Sequence, residues 1–293
     1  MAHSVHKVEV VVATLPASNI EEDRGQNECC QEFYALASST STSVVFNDVF
    51  LATHKRADLS ETVTFIIQKC GESAILTNYG NVRVCPQDPL ASLFEYDWRQ
   101  YLINYTPGFY IISKQFDLLG ATFDIPIAKV RLWEYTPEHA REDVHAVRIR
   151  AQFNALSRVG EDMIDFTDSG AFDTLRLSGI FHKWNPKPTE RALLTKGRKL
   201  EKVKGQLDNE YTLDLDPLKN LFIDRLINLH LLNNNYLWIT DNNVVNPRYN
   251  YTEKPVAFIT DSAEPEETGR YTEYEIKFRD RSDNHRSLHN KPA

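Results

Sequence analysis

Apolar positions alternate with polar ones along most of this chain, and β-branched residues dominate the alternating stretches. Residues 5–14, 44–53, 62–68, 74–77, 122–133, 144–152 and 175–181 read as strands. Further strands are predicted at 236–240, 256–260 and 270–278. In the last of these, Tyr271, Glu273, Glu275 and Lys277 alternate with Thr272, Tyr274, Ile276 and Phe278, the pattern of a strand with one wet face. The run Asn78-Tyr79-Gly80-Asn81 predicts a hairpin turn joining Ile75-Leu76 to Val82–Val84.

Two stretches carry a helical period instead. Asp88-Pro89 supplies an N-cap and a first-turn proline ahead of Leu90, Leu93, Phe94, Trp98, Tyr101 and Leu102. Asp216-Pro217 repeats the device before Leu218, Leu221, Phe222, Ile223, Leu226 and Ile227. Short strands with two amphipathic helices and no regular β-α alternation predict a mainly β chain with helices. The architecture expected is an antiparallel β-sandwich, jelly-roll-like, with helical extensions. Residues 1–43 read as an N-terminal strand and polar segment forming an extension, 44–281 as the sandwich core with both helices, and 282–293 as a polar tail.

Composition narrows the function classes. Of 293 residues, 42% are hydrophobic and 25% charged, the range of an ordinary globular protein. A net charge of −8 disfavours a uniformly basic nucleic-acid binder. Only 11 glycines argue against Gly-rich phosphate loops. No run reaches the length of a membrane span, the start lacks an export h-region, and Ala2 excludes myristoylation, so a soluble chain made inside a cell is expected. The sequons at Asn104 and Asn250 are then coincidences.

The search for catalytic chemistry finds no nucleophile elbow, no P-loop, no zinc-protease motif and no dinucleotide fingerprint. His139 with Glu138 and Glu142 lacks further metal ligands. The cysteines Cys29, Cys30, Cys70 and Cys85 have no zinc spacing and read as free thiols, with Cys29 and Cys30 the candidates for a disulfide between copies. No catalytic residue, cofactor or metal site is expected. Two charged blocks stand out. Lys183, Lys187, Arg191, Lys196, Arg198, Lys199, Lys202 and Lys204 form a basic stretch interrupted only by Glu190 and Glu201. Asp261, Glu264, Glu266 and Glu267 form an acidic one, read as a loop after the strand ending at Thr260. Each block is either a solvated surface or a contact, the basic one with a polyanion or import receptor.

Several segments, in order, resemble the baculovirus polyhedrin/granulin family, whose members form the crystalline matrix of viral occlusion bodies. These are Glu210-Tyr211-Thr212, Phe222-Ile223-Asp224-Arg225-Leu226-Ile227, Lys254-Pro255-Val256-Ala257-Phe258-Ile259 and Thr260-Asp261-Ser262-Ala263-Glu264. Glu266-Glu267 and a final strand through Phe278 follow, and Trp98-Arg99-Gln100-Tyr101 is a weaker echo. The similarity covers residues 210–278. About 20 residues near 233–251 stand as an insertion, Pro265 breaks the acidic run, the family's N-terminal lysine-rich import signal is missing, and the first 90 residues do not match.

The resemblance implies a non-enzymatic structural protein whose partners are its own copies, as trimers packed into a lattice, and the virions enclosed. It implies no specific nucleic acid, no membrane span, and accumulation in occlusion bodies in the host nucleus. Asp261, Glu264, Glu266 and Glu267 become candidate lattice contacts. Lys196, Arg198, Lys199, Lys202 and Lys204 become the candidate import cluster. Such a matrix must hold at neutral pH and dissolve in alkali. With lysines neutral and all 13 tyrosines ionised, the charge limit is roughly −36 per chain near pH 11, so copies should repel. Two alternatives are a jelly-roll virion shell protein and a hydrolase pairing Asp261 with Glu264 or Glu266 at about 5–9 Å. A third, a carbohydrate- or protein-binding sandwich, rests on fold analogy.

Overall fold

In the computed structural model the described residues are 32–41, 47–118, 121–134, 146–159, 162–194, 200–219, 225–232, 236–241, 251–259, 264–268 and 271–281. They are mainly β, as the alternation predicts. The chain runs through β1 (Glu32–Ala37), β2 (Val49–Lys55), β3 (Val63–Lys69), β4 (Gly80–Cys85) and β5 (Asp88–Asp97) to a short helix, α1 (Trp98–Asn104). Strands β6 (Gly108–Leu118), β7 (Ala121–Glu134), β8 (Ala146–Phe153), β9 (Leu156–Val159) and β10 (Asp162–Asp165) follow. Two long strands, β11 (Ala171–Leu194) and β12 (Leu200–Lys219), precede a π-helix, Arg225–Leu231. Strands β13 (Tyr236–Asp241), β14 (Tyr251–Phe258), β15 (Glu264–Thr268) and β16 (Tyr271–Asp280) complete the order.

The first half is two facing sheets. One has the order β1-β7-β6-β3, antiparallel except for the parallel β1–β7 pair, and the other is the antiparallel β2-β5-β4. Aromatic rings fill the space between them. Phe65 on β3 stacks on Phe94 of β5 with centroids 5.8 Å apart, and Trp98 lies 5.8 Å from Tyr110. The Tyr96 hydroxyl donates to the Ile66 carbonyl across the gap at 3.3 Å. Strand β1 falls within the segment expected as an extension, and its Ala35, Leu36 and Ala37 are buried.

In the second half, antiparallel strands pair in the order β12-β11-β8-β13-β14-β16, and β16 pairs back onto β12. Those six strands therefore close into a ring. Its interior includes Val147, Ile149, Leu213, Ile239, Ile276 and Phe278, and Phe181 stacks on Tyr211 at 5.4 Å. Both halves share one continuous apolar core.

Three sequence expectations are corrected here. Residues 88–97 form a strand, and only Trp98–Asn104 is helical, capped by the Asp97 carboxylate accepting from the Arg99 N–H at 3.1 Å. The reason is that β5 is buried on both faces: Ala91, Ser92, Leu93 and Phe94 are all inside, and a doubly buried strand has the same unbroken apolar run as a buried helix. Asp216-Pro217 does not start a helix either. It sits in a register shift between Leu215 and Leu218 of β12, where a proline without an N–H is tolerated, and the described helical turns are those of Arg225–Leu231. The hairpin at Asn78–Asn81 is absent too. The Leu76 N–H bonds back to Ile67 on β3, while β4 pairs with β5 through the tight connection Pro86-Gln87.

Gly80 opens β4 where the chain crosses between the two sheets. With φ of 159°, an added Cβ would lie 1.7 Å from the Glu95 carbonyl oxygen. Gly80→Ala should therefore force the β4–β5 pair apart and cost about 1–3 kcal/mol, measurable by urea unfolding. A loss below about 0.5 kcal/mol would mean that this close approach is absent in solution.

Candidate functional site

Charged side chains gather where the two halves meet. Asp48, just before β2, is 1% exposed and accepts four hydrogen bonds from three residues. Arg148 Nε on β8 lies 2.7 Å from Asp48 Oδ1, Arg176 Nε on β11 bonds Oδ2, and the Leu36 N–H donates to Oδ2 at 2.7 Å. Arg148 also pairs with Glu253 on β14, whose other oxygen is 2.6 Å from Arg150 Nη2. Burial alone would raise the Asp48 carboxyl, but the charges of Arg176 and Arg148, with the Arg176 and Leu36 hydrogen bonds, hold it below its ordinary value.

A second buried carboxylate completes the seam. Asp173 on β11 accepts from the Leu51 N–H of β2 at 2.8 Å and pairs with Arg225 of the π-helix at 2.8 Å. Arg225 further donates to the Leu51 carbonyl at 3.1 Å and lies over the Phe50 ring at 4.3 Å. His230 Nε2 is 3.1 Å from Asp173 Oδ2, too poorly aligned for a hydrogen bond, and Nδ1 faces the Arg225 carbonyl at 3.1 Å. Burial pushes the Asp173 carboxyl up, and Arg225 and His230 outweigh it, so its value is lowered. Both His230 and Asp173 are sealed from solvent. Their arrangement clasps the π-helix to β2 and β11.

The tyrosines respond to burial in the opposite sense. Burial raises Tyr96 and Tyr101 well above the usual phenol value, and Tyr110 to about 12. The Cys85 thiol is likewise pushed up to about 12 by burial, the setting of an inert thiol; neither it nor Cys70 is in a disulfide. On β14, burial works against the Lys254 ammonium, yet hydrogen bonds to Asp280, whose Oδ1 is 2.8 Å away, and to the Tyr211 hydroxyl hold its value above normal.

The candidate contact residues occupy different parts of the second half. Glu264, Glu266 and Glu267 lie on β15, an edge strand paired with β16, and not in a loop as the sequence suggested. Lys202 and Lys204 lie on β12. Asp261, Cys29, Cys30, Lys196, Arg198, Lys199 and His139 fall outside the described residues, so the Asp261–Glu264 or Asp261–Glu266 carboxylate pair has no geometry to assess.

No family model, no curated protein and no solved structure matches this chain. Among the described residues, no group of three or more His, Cys, Asp or Glu side chains is placed to hold a metal ion. No helix among them is long and apolar enough to cross a membrane.

The seam was missed in the sequence reading. Val147-Arg148-Ile149-Arg150 looks like an apolar face alternating with a wet one. In the fold Arg148 is buried because Asp48 and Glu253, each about 100 residues away in sequence, come to meet it.

Proposed function

We propose that this chain is a structural protein forming the crystalline matrix of viral occlusion bodies, which embeds virions, holds at neutral pH and dissolves in alkali. The observation that carries the reading is where the family-like segments lie. Glu210-Tyr211-Thr212 is on β12, Lys254 to Phe258 on β14, and the final strand is β16; Tyr211 and Phe258 both pair in register with Phe278. Segments far apart in sequence thus form one packed unit. Arg225, from the Phe222–Ile227 segment, is the residue that anchors the π-helix to Asp173.

The titration behaviour is compatible with such a role. Lysines discharge near their ordinary value of about 10.4, which erases ammonium–carboxylate pairs between copies. The buried tyrosines stay neutral at that pH, so the charge limit is less negative than a full tyrosine count implies, and the unit keeps its core while contacts between units fail. On this reading the copies form trimers before packing and accumulate in the host nucleus, with the basic stretch at 196–204 as the import signal.

Expression of the chain alone in cultured cells tests the proposal. Refractile crystalline bodies in the nucleus are the expected result. A chain that stays dispersed at high expression, or that turns over a metabolite, would overturn it.

A further inference from the structure

The three-stranded sheet β2-β5-β4 has two edges of different character. On β2 the Val49 N–H donates to Thr174 Oγ1 and the Leu51 N–H to Asp173 Oδ1, each at 2.8 Å. The Thr174 hydroxyl donates back to the Val49 carbonyl, and Arg225 to the Leu51 carbonyl. Side chains from the second half thus occupy the outward groups of β2 and close that edge. Strand β4 forms the other edge. Among the described residues its backbone bonds β5 and no other segment.

Alternation fixes which groups of β4 point outward. In an antiparallel strand each residue sends its N–H and C=O to one side, and the next residue sends both to the other. Val49 and Leu51 point away from β5, so Phe50 and Ala52 bond it, opposite Tyr96 and Phe94. Glu95 and Leu93 then bond β4, opposite Asn81 and Arg83, and the bond from the Asp97 N–H to the Tyr79 carbonyl at 3.0 Å keeps the same phase. Gly80, Val82 and Val84 are left to direct their N–H and C=O groups outward. Val82 is 64% and Val84 47% exposed. Nothing on β4 guards this edge against pairing: the strand has no proline and no lysine, and its one charge, Arg83, turns to Glu95 at 3.0 Å.

We infer that β4 pairs antiparallel with β4 of a second copy across a two-fold axis, joining two three-stranded sheets into one of six strands. The inference rests on the self-assembly reading and names one of its contacts. A two-fold normal to the sheet sets one residue opposite itself, and two registers keep five of the six β4 residues paired. With Arg83 on the axis, like charges oppose each other, and only Val82 and Val84 exchange bonds, two in each of two pairs. With Val82 on the axis, Val82 faces Val82, Val84 faces Gly80 twice over, and three pairs exchange two bonds each. Arg83 then faces position 81, and the glycine leaves room for the valine opposite. The strand is complementary to itself in this register, which selects a second copy as the occupant. Five residues make a strip about 17 Å long, too small to hold a dimer alone when a standard interface buries about 1,600 Å². It suits a contact repeated through a lattice, where a two-fold between trimers links them into an open array.

Cysteine substitution in the full chain tests the register. Val82→Cys, Arg83→Cys and Val84→Cys are each assembled at neutral pH, treated with a mild thiol oxidant, digested without reduction and examined by mass spectrometry for a peptide joined to its own copy. Position 82 meets itself at about 5.5 Å between Cα atoms, within disulfide reach, whereas 83 and 84 lie more than about 7 Å from their own copies. At least tenfold more self-joined peptide is expected from Val82→Cys than from either other variant. Hydrogen exchange on the unaltered chain is a second readout that needs no substitution. The Val82 and Val84 amides should exchange freely in dilute protein of one-chain mass and at least tenfold more slowly once it assembles. Large assemblies with no link through position 82, or with equal links at all three positions, would overturn the β4 contact and leave self-assembly standing. So would slow exchange of both amides in the single chain, which would mean that another part of the same chain covers the edge. An unaltered chain that forms the two-fold pair and nothing larger would support the contact and overturn the function proposed above.

Discussion

Replacing Asp48 with alanine is expected to destabilise the protein by on the order of 3–5 kcal/mol, the largest effect of any single substitution considered. The carboxylate is the shared partner of two guanidinium groups that are themselves inside, Arg148 at 1% and Arg176 at 6% exposed. Without it both cations stay buried with their attraction to Asp48 lost, and desolvation of the charges is no longer offset. The Leu36 N–H also loses its acceptor, which loosens β1 against the seam. A surface pair gives the contrast. Asp88→Ala removes only the half-exposed contact to Lys55 and should cost about 0–1 kcal/mol. Urea unfolding of both variants makes the comparison, and equal losses would contradict the account of the seam.

Acid should act on the same groups. The folded values of Asp48 and Asp173 are lowered, so their stabilisation is present above the unfolded value of about 3.9 and is lost only as pH falls through the lowered folded values. The seam therefore survives mild acid.

The second large effect lies at the alkaline end, where assembly and fold are expected to fail at separate pH values. Lattice contacts made by lysine should dissolve between about pH 10 and 11, as ammonium groups discharge. The folded unit should outlast them. Tyr96, Tyr101 and Tyr110 have raised folded values, so the stability they contribute is intact below the unfolded phenol value of about 10 and is lost as pH rises toward the folded values. Each then loses about 1.4 kcal/mol per pH unit above 10, or roughly 4 kcal/mol per unit for the three. Against a typical total of about 5–15 kcal/mol, unfolding is expected only above about pH 11. Turbidity should clear first, with near-ultraviolet circular dichroism and the tyrosinate absorbance changing about a unit later. Simultaneous changes in all three signals, or clearing complete near about pH 8, would contradict this.

The sequence reveals the mainly β class because alternation is a local property: 62–68, 122–133 and 236–240 each fall on observed strands. It misleads where burial on both faces imitates a helix, as at Leu90 to Phe94, and it does not tell which charge on a strand is buried, as at Arg148. In both places the deciding partner comes from a distant segment. Strand β5 lies between β2 and β4 and faces the four-stranded sheet, and Arg148 meets Asp48. Register is equally hidden. The acids at 264–267 are visible as a cluster, but their place on an edge strand opposite Glu273 and Glu275 depends on how β15 pairs with β16. The two charged blocks were legible as blocks; their placement, Lys202 and Lys204 on β12 and the glutamates on β15, was not.

Sedimentation velocity of the purified chain at neutral pH, from micromolar to millimolar concentration, tests most directly that this molecule is built to pack with itself. Particles far larger than one chain, growing with concentration and dispersing in strong alkali to small folded units, are the predicted result. A single boundary of one-chain mass at every concentration would contradict it.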